Sequence, residues 1–275
     1  MLKTRVITAI VLLAVLLPIL FLLPPVYFGA FFLLALLAAA WEWSRLLSPE
    51  ATRAAWLYAL FCLAIILFLL GMQNVAWQFA LLLMAVIFWF FLAPFILAKG
   101  MNISLQSLRP FYVVLGLILL PATWFALVFL RELGLVFLLS TMALVWVADI
   151  GAYFVGKAFG KRKLAAQISP GKSIEGALGG LLLCYGYAFL CIFYLPFEST
   201  LFGAWAIRFG WVPTVLMVTV LTAFSIFGDL FESQLKRMAG VKDSSFLLPG
   251  HGGVLDRVDA LIPTMPIAAL LAGLV

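Results

Sequence analysis

The sequence predicts an all-α, polytopic integral membrane protein of about nine transmembrane helices, with its N-terminus on the cytoplasmic side. Three observations carry that expectation. First, 67% of the 275 residues are hydrophobic, only 10% are charged, and mean hydropathy is +1.23. Soluble domains carry about 25% charged residues, so this chain has too few charges to clothe a water-facing surface. Second, apolar runs recur at the length that crosses a bilayer, about 20 residues for a hydrocarbon core of roughly 30 Å. Third, fifteen of the 17 Lys and Arg residues fall on alternate connecting segments, the asymmetry expected of cytoplasmic loops.

In chain order the spans are expected at 6–23, 26–40, 54–71, 75–98, 111–130, 134–155, 176–196, 211–231 and 260–275. These runs are too long and too uniformly apolar for barrel strands, which alternate. The first is longer than the apolar core of a secretion signal. Pro24-Pro25 follow it in place of a small-residue cleavage site, so it reads as a retained helix. The second and ninth are short. Trp41, Trp43, Trp56, Trp77 and Trp89 lie mostly near span ends, where an interfacial aromatic belt sits. Segment 197–210 reads as an interfacial half-helix without chemistry.

With the N-terminus inside, Lys3, Arg5, Arg45, Arg53, Lys99, Arg109, Lys157, Lys161, Arg162, Lys163, Lys172, Lys236, Arg237, Lys242 and Arg257 are inner, and only Arg131 and Arg208 are outer. The net charge of +6 therefore reflects topology and attraction to anionic headgroups, not nucleic-acid binding. Cys62, Cys184 and Cys191 lie inside spans at no metal-ligand spacing and read as small packing residues.

Residues 1–275 read as a single membrane domain with an uneven distribution of polar groups. From 1 to 140 charges are sparse and confined to loop edges (Glu42, Arg45, Glu50, Arg53, Lys99, Arg109, Arg131, Glu132), which suits a scaffold. Residues 141–275 hold two long inner loops, 156–175 and 232–259, dense in Lys, Asp, Ser and Gly, and these are the expected seat of function.

Asp149 lies near the inner end of the sixth span. An ionisable group there is a functional candidate by default, because burying it in apolar surroundings is costly. Gly151, Gly156, Gly176, Gly179 and Gly180 form small-residue faces that permit close helix approach, and these suit a homodimer as readily as internal packing. Ser169-Pro-Gly-Lys172-Ser173 is not a phosphate-binding P-loop: residue 166 is Ala where that motif needs Gly, and no strand is expected before it. Ser173 can cap the seventh span, whose free N–H groups, with Lys172 alongside, favour an anion.

The densest constellation runs from 225 to 259. Ser225, Asp229, Glu232, Ser233 and Lys236 fall at three- and four-residue steps on one helix face. Lys242-Asp243 follow, then Pro249-Gly-His251-Gly252-Gly253, a turn whose glycines expose backbone N–H groups, then Asp256-Arg257-Val-Asp259. Carboxylates hold Mg²⁺, Mg²⁺ bridges phosphates, and basic groups stabilise the remaining charge; moving a phosphoryl or nucleotidyl group needs this mixture. A purely structural ion-pair cluster has little need for the Gly-His-Gly-Gly turn.

The pattern Ser233-x-Leu-Lys236-Arg237-x₄-Lys242-Asp243-x₅-Pro249-Gly-His251-Gly252-Gly253-x₂-Asp256-Arg257-x-Asp259 resembles the signature of the phosphatidate cytidylyltransferase (CDP-diacylglycerol synthase) family. Ser169-Pro-x-Lys-Ser-x-x-Gly176 and Asp149-x-Gly-Ala-Tyr-Phe resemble other parts of it.

The resemblance implies transfer of a cytidylyl group from CTP to phosphatidate with release of pyrophosphate, at the cytoplasmic face of a bacterial inner membrane. It implies catalytic roles for Asp229, Lys236, Arg237, His251, Asp256 and Asp259. Substrate contacts fall to Lys172, Ser173, Ser233, Lys242, Asp243, Gly252, Gly253 and Arg257. Mg²⁺ is expected on Asp229, Asp256 and Asp149, and a second cation of unknown identity is compatible with the set. Two other readings compete: a CTP-dependent kinase of a polyprenol-type lipid alcohol, which releases CDP, and a cation-coupled transporter, which would place its carboxylates at the bilayer midplane.

Overall fold

The computed structural model describes the backbone of residues 2–275, and all side chains in it apart from those of residues 2–9, 12 and 13. Lys3 and Arg5, part of the orientation argument, thus lie outside the described side chains.

The chain is helical almost throughout. It opens with α1 (Leu2–Phe21), α2 (Pro25–Leu47) and α3 (Thr52–Gly71). Pro25 takes the first helical position of α2, where its fixed φ suits the turn and its missing N–H costs nothing. That helix runs two turns beyond the expected 40, because the polar residues that interrupt the apolar run, Glu42 and Ser44, are accommodated inside the fold.

Next, α4 (Val75–Ile87) passes through a π-turn at Phe88–Leu92 into α5 (Ala93–Ala98), making one span. The widened turn sits just ahead of Pro94, which cannot donate the helical hydrogen bond. Then come α6 (Arg109–Leu133), α7 (Leu135–Phe159), α8 (Ile174–Tyr194) and α10 (Trp211–Met238). Among the described residues, seven helical segments are long and apolar enough to cross a membrane. The expected outer half-helix is α9 (Leu201–Phe209), capped by the Thr200 hydroxyl, which accepts from Gly203 N–H at 3.1 Å.

The ninth expected span differs in kind. It is α11 (Leu255–Val258) followed by α12 (Leu261–Ala272). Twelve residues rise only about 18 Å, short of a hydrocarbon core. Residues 261–269 are all buried, and α12 packs against α4, α6, α7 and α10. It is a central post enclosed by protein.

Loop 156–175 is also more ordered than the sequence suggests. Strand β1 (Lys163–Ala165) pairs antiparallel with β2 (Ser169–Ser173). The Gly171-Lys172-Ser173 run therefore lies within a strand that leads straight into α8, correcting the expectation of no strand there; hydropathy does not register a hairpin this short. The Glu175 carboxylate fastens it, accepting from the backbone N–H groups of Lys161 and Arg162 at 3.1 Å each.

Two features fix the geometry around the functional end. The glycine faces meet inside the chain: a Cβ at Gly151 would lie 2.9 Å from Gly180 Cα, and one at Gly180 would lie 2.6 Å from the Ala148 carbonyl oxygen. Helices α7 and α8 thus run backbone to backbone, which consumes these glycines within the protomer. On the other flank, Gln234 Nε2 donates to the carbonyls of Ile96 and Gly100, at 3.1 and 2.5 Å, tying α10 to the end of α5.

The two halves of the chain are joined by Glu42, which is fully buried. Its carboxylate accepts from Val254 N–H at 3.0 Å and Leu255 N–H at 2.6 Å, and from the hydroxyls of Ser244 (3.3 Å) and Ser245. A residue of the scaffold half thereby holds segment 244–255. Glu42→Ala leaves both N–H groups unmet, at roughly 1–3 kcal/mol for each buried donor, so thermal unfolding in detergent should show a loss of about 2–6 kcal/mol. An unchanged midpoint would show that this carboxylate does not secure the loop. In the α7–α8 seam, Gly180→Val should prevent close packing and lower the yield of folded protein, measured by gel filtration.

Candidate active site

Segments 149–176 and 225–259 converge at one end of the bundle, around two lysines. Lys172, on β2, pairs with Asp229 of α10 at 2.6 Å. Asp229 also accepts from Ser233 Oγ at 3.2 Å, one turn along the same helix. Asp149 of α7 lines the same cleft, within electrostatic reach of both Asp229 and Lys172. The cleft encloses about 430 Å³, and Tyr153, Leu164 and Ile226 supply its apolar side. Tyr153 and its neighbours Ile150 and Phe154 are exposed on the outer surface of α7, so the cleft opens beside a face that suits acyl chains.

The second lysine, Lys236, lies between two carboxylates. It pairs with Glu232 one turn earlier, and with Asp256 of α11 at 2.5 Å. Asp256 also accepts from Ser244 N–H (3.0 Å), Ser244 Oγ (3.0 Å) and Gly253 N–H (2.7 Å). Burial works to raise its carboxyl, but the neighbouring Glu232 carboxyl, the Lys236 ammonium and the Gly253 N–H together outweigh burial and hold it down at about 2. Asp259 has the opposite balance. Burial and the Asp229 charge push its carboxyl well above the usual range, against the opposing pull of Ala260 N–H, Lys172 and Lys236.

Asp149, Asp229, Glu232, Asp256 and Asp259 thus form a continuous set of five carboxylates facing two ammonium groups. The hard oxygen donors suit a divalent cation such as Mg²⁺. Among the described residues, no three His, Cys, Asp or Glu side chains converge closely enough to hold an ion unaided. Mg²⁺ typically takes one or two carboxylates and completes its shell with water and substrate phosphates, so the residues fit a cation that arrives with a nucleotide.

The other expected residues divide into two groups. Ser173 caps α8 as anticipated, accepting from Gly176 N–H at 3.1 Å. Gly252 adopts φ +79°, and a Cβ there would lie 2.7 Å from Asp256 Oδ2. The glycine turn therefore gives room to Asp256, and its Gly253 N–H is spent on that carboxylate. His251 presents its backbone carbonyl to Arg257, whose Nε and Nη2 donate at 3.0 and 2.5 Å. Arg237, Lys242 and Asp243 are exposed, and Ser225 is buried, donating to the Thr222 carbonyl.

Glu42 and Glu232 were not singled out as site residues by the sequence. Glu232 carried a signal, its place on the carboxylate face of α10. Glu42 carried none, because its partners lie more than 200 residues away.

The sequence profile described as the cytidylyltransferase family matches residues 3–275. The chain is 41% identical over 273 residues to the phosphatidate cytidylyltransferase of Pseudomonas aeruginosa, covering 98% of this chain and 97% of that one. It is 37% identical to the phosphatidate cytidylyltransferase of Haemophilus influenzae, covering 97% and 96%, and 33% identical to that of Staphylococcus haemolyticus, covering 98% of each. A match over nearly the whole length, including the segments that build the lysine–carboxylate cluster, settles the classification: the chain belongs to the cytidylyltransferase family.

Proposed function

We propose that this protein transfers the cytidylyl group of CTP to phosphatidate, giving CDP-diacylglycerol and pyrophosphate for phospholipid synthesis. Family membership and the names of its relatives support the reading. The observation that carries it is the cleft shared by Asp149, Lys172 and Asp229, which sets phosphate-handling groups opposite an apolar wall beside the lipid-facing surface of α7. A substrate with a phosphate head and acyl chains fits that division.

A phosphate oxygen of phosphatidate attacks the α-phosphorus of CTP. The bond from that phosphorus to the bridging oxygen breaks, and pyrophosphate leaves with the electron pair. The nucleophile is ionised at neutral pH, so no strong base is needed, and positioning and charge neutralisation dominate. Asp229, with Asp149 or Asp256, would hold Mg²⁺ brought in with the nucleotide, and the ion would supply neutralisation of phosphate charge. Lys172 and Lys236, each held against carboxylates before substrate arrives, turn toward phosphate oxygens. Ser233 orients Asp229, and Arg257 shapes the 251–253 turn through the His251 carbonyl. Arg237 and Lys242, both exposed, attract the anionic substrates.

Asp229→Asn should lower turnover by at least about 10²-fold, the scale of losing one electrostatic group aimed at the reacting centre, while gel filtration shows intact protein. The assay follows labelled CTP into a lipid-soluble nucleotide with Mg²⁺ present. Retained turnover refutes the role of Asp229, and release of CDP in place of pyrophosphate makes the protein the lipid-alcohol kinase.

The reading also requires the carboxylate end to face the cytoplasm of the bacterial inner membrane. The chain's own cysteines are all buried, so a reporter thiol can be read cleanly. A Phe246→Cys variant should react with an impermeant maleimide only after cells are opened, and an Arg208→Cys variant before. The reverse pattern would put the site out of reach of nucleotide.

A further inference from the structure

A second cleft, of about 360 Å³, adjoins the Glu42 network and is lined by Trp41, Arg45, Ser244, Ser245, Phe246 and Leu247 among others. Its serines are engaged by Glu42 and Asp256, but its arginine and tryptophan nitrogens are not. The Arg45 guanidinium carbon sits 4.8 Å from the centre of the Trp41 ring. Both Arg45 Nε and the Trp41 indole nitrogen are buried without a hydrogen-bond partner among the described residues, and Arg45 makes no ion pair there. A guanidinium stacked on an indole keeps its planar fork of donors oriented, the geometry that receives a phosphate. Asp243, exposed, is the one carboxylate on the lining; Glu42, behind it, is fully engaged by serines and backbone N–H groups.

The rest of the lining is mainly apolar, and its outer lip is open. Phe246 is 90% exposed and Leu247 48%, at the tip of a loop beside the last turn of α2, a membrane-crossing helix. Trp56 packs 5.7 Å from Trp41 and is itself exposed. Aromatic and apolar side chains around a basic group at a span end are the features of an interfacial lipid contact.

We infer that this cleft seats the headgroup of an anionic phospholipid, with Arg45 and the Trp41 indole N–H on its phosphate and Phe246 and Leu247 against its acyl region. The seat is separate from the Asp149–Asp229 cleft and does not rest on the catalytic reading. It shares Ser244 and Ser245 with the Glu42 network, and Ser244 also bonds Asp256, so an occupied seat braces the loop that holds Asp256 of α11 through Ser244.

The test measures retention of phosphatidylglycerol by the delipidated full-length protein in neutral detergent, using native mass spectrometry. Phosphatidylglycerol has no phosphate monoester and cannot act as the proposed nucleophile, so the result stands whether or not the protein proves to be a cytidylyltransferase. Wild-type protein should retain it in preference to phosphatidylcholine. Arg45→Gln should weaken that retention by about tenfold or more, the loss expected of one charge-assisted hydrogen bond. Should Arg45→Gln fail to fold, Trp41→Phe, which keeps a ring and removes the N–H, must still weaken it several-fold. Equal retention by folded variants and wild type overturns the proposal. So does displacement of the lipid by millimolar inorganic phosphate, which would mark the cleft as a site for soluble anions.

Discussion

Charge held at the edge of an apolar bundle has to be compensated where it sits, and in this protein two lysines meet most of that demand. Lys172 and Lys236 reach their carboxylates at 2.6 and 2.5 Å, and they come from different parts of the chain, a hairpin strand and the end of α10. Desolvating an unpaired carboxylate costs several kcal/mol, so each pairing also decides where its backbone element sits: β2 is drawn against α10, and α11 against the same helix one to two turns on. Asp256 is compensated most completely, by an ammonium, two backbone N–H groups and a hydroxyl. Asp259, with fewer partners and Asp229 beside it, is compensated least.

Support from behind is equally specific. Glu42 sits in the half of the chain that otherwise packs as apolar scaffold, yet its carboxylate collects the 244–255 segment from the side away from Lys236. Ser244 stands between the two acids, bonded to Glu42 through its hydroxyl and to Asp256 through both hydroxyl and N–H. The division into a scaffold half and a catalytic half therefore describes where the charges lie in the sequence, while the folded site draws on both.

The helices were legible because hydropathy reports directly on apolar runs of bilayer length. The convergence of 149–176 with 225–259 was legible because Asp, Lys and Gly cluster there at helical and turn spacings. Ser173 was readable as a cap because capping is local. What escaped the sequence was non-local or faintly patterned. The burial of α12 depends on which helices surround it; its apolar composition is the same for a lipid-facing span. A hairpin of short strands leaves no trace in hydropathy. Glu42 looks like a loop-edge charge until its partners, distant in sequence, are brought beside it. The glycines at 252 and 253 read as ligand-facing donors, but the space they leave goes to Asp256 and Ser244.

The amide of Gln234 has a consequence for the clocking of α10. It lies on the side of the helix away from Asp229, Ser233 and Lys236, and its two bonds to the end of α5 are made at one azimuth only. Slipping the helix by a single residue turns it through about 100°, which would leave that amide in an apolar environment with nothing to bond and would swing the acidic stripe off its lysines at the same time. A neutral side chain thus sets the angle at which the charged ones are presented.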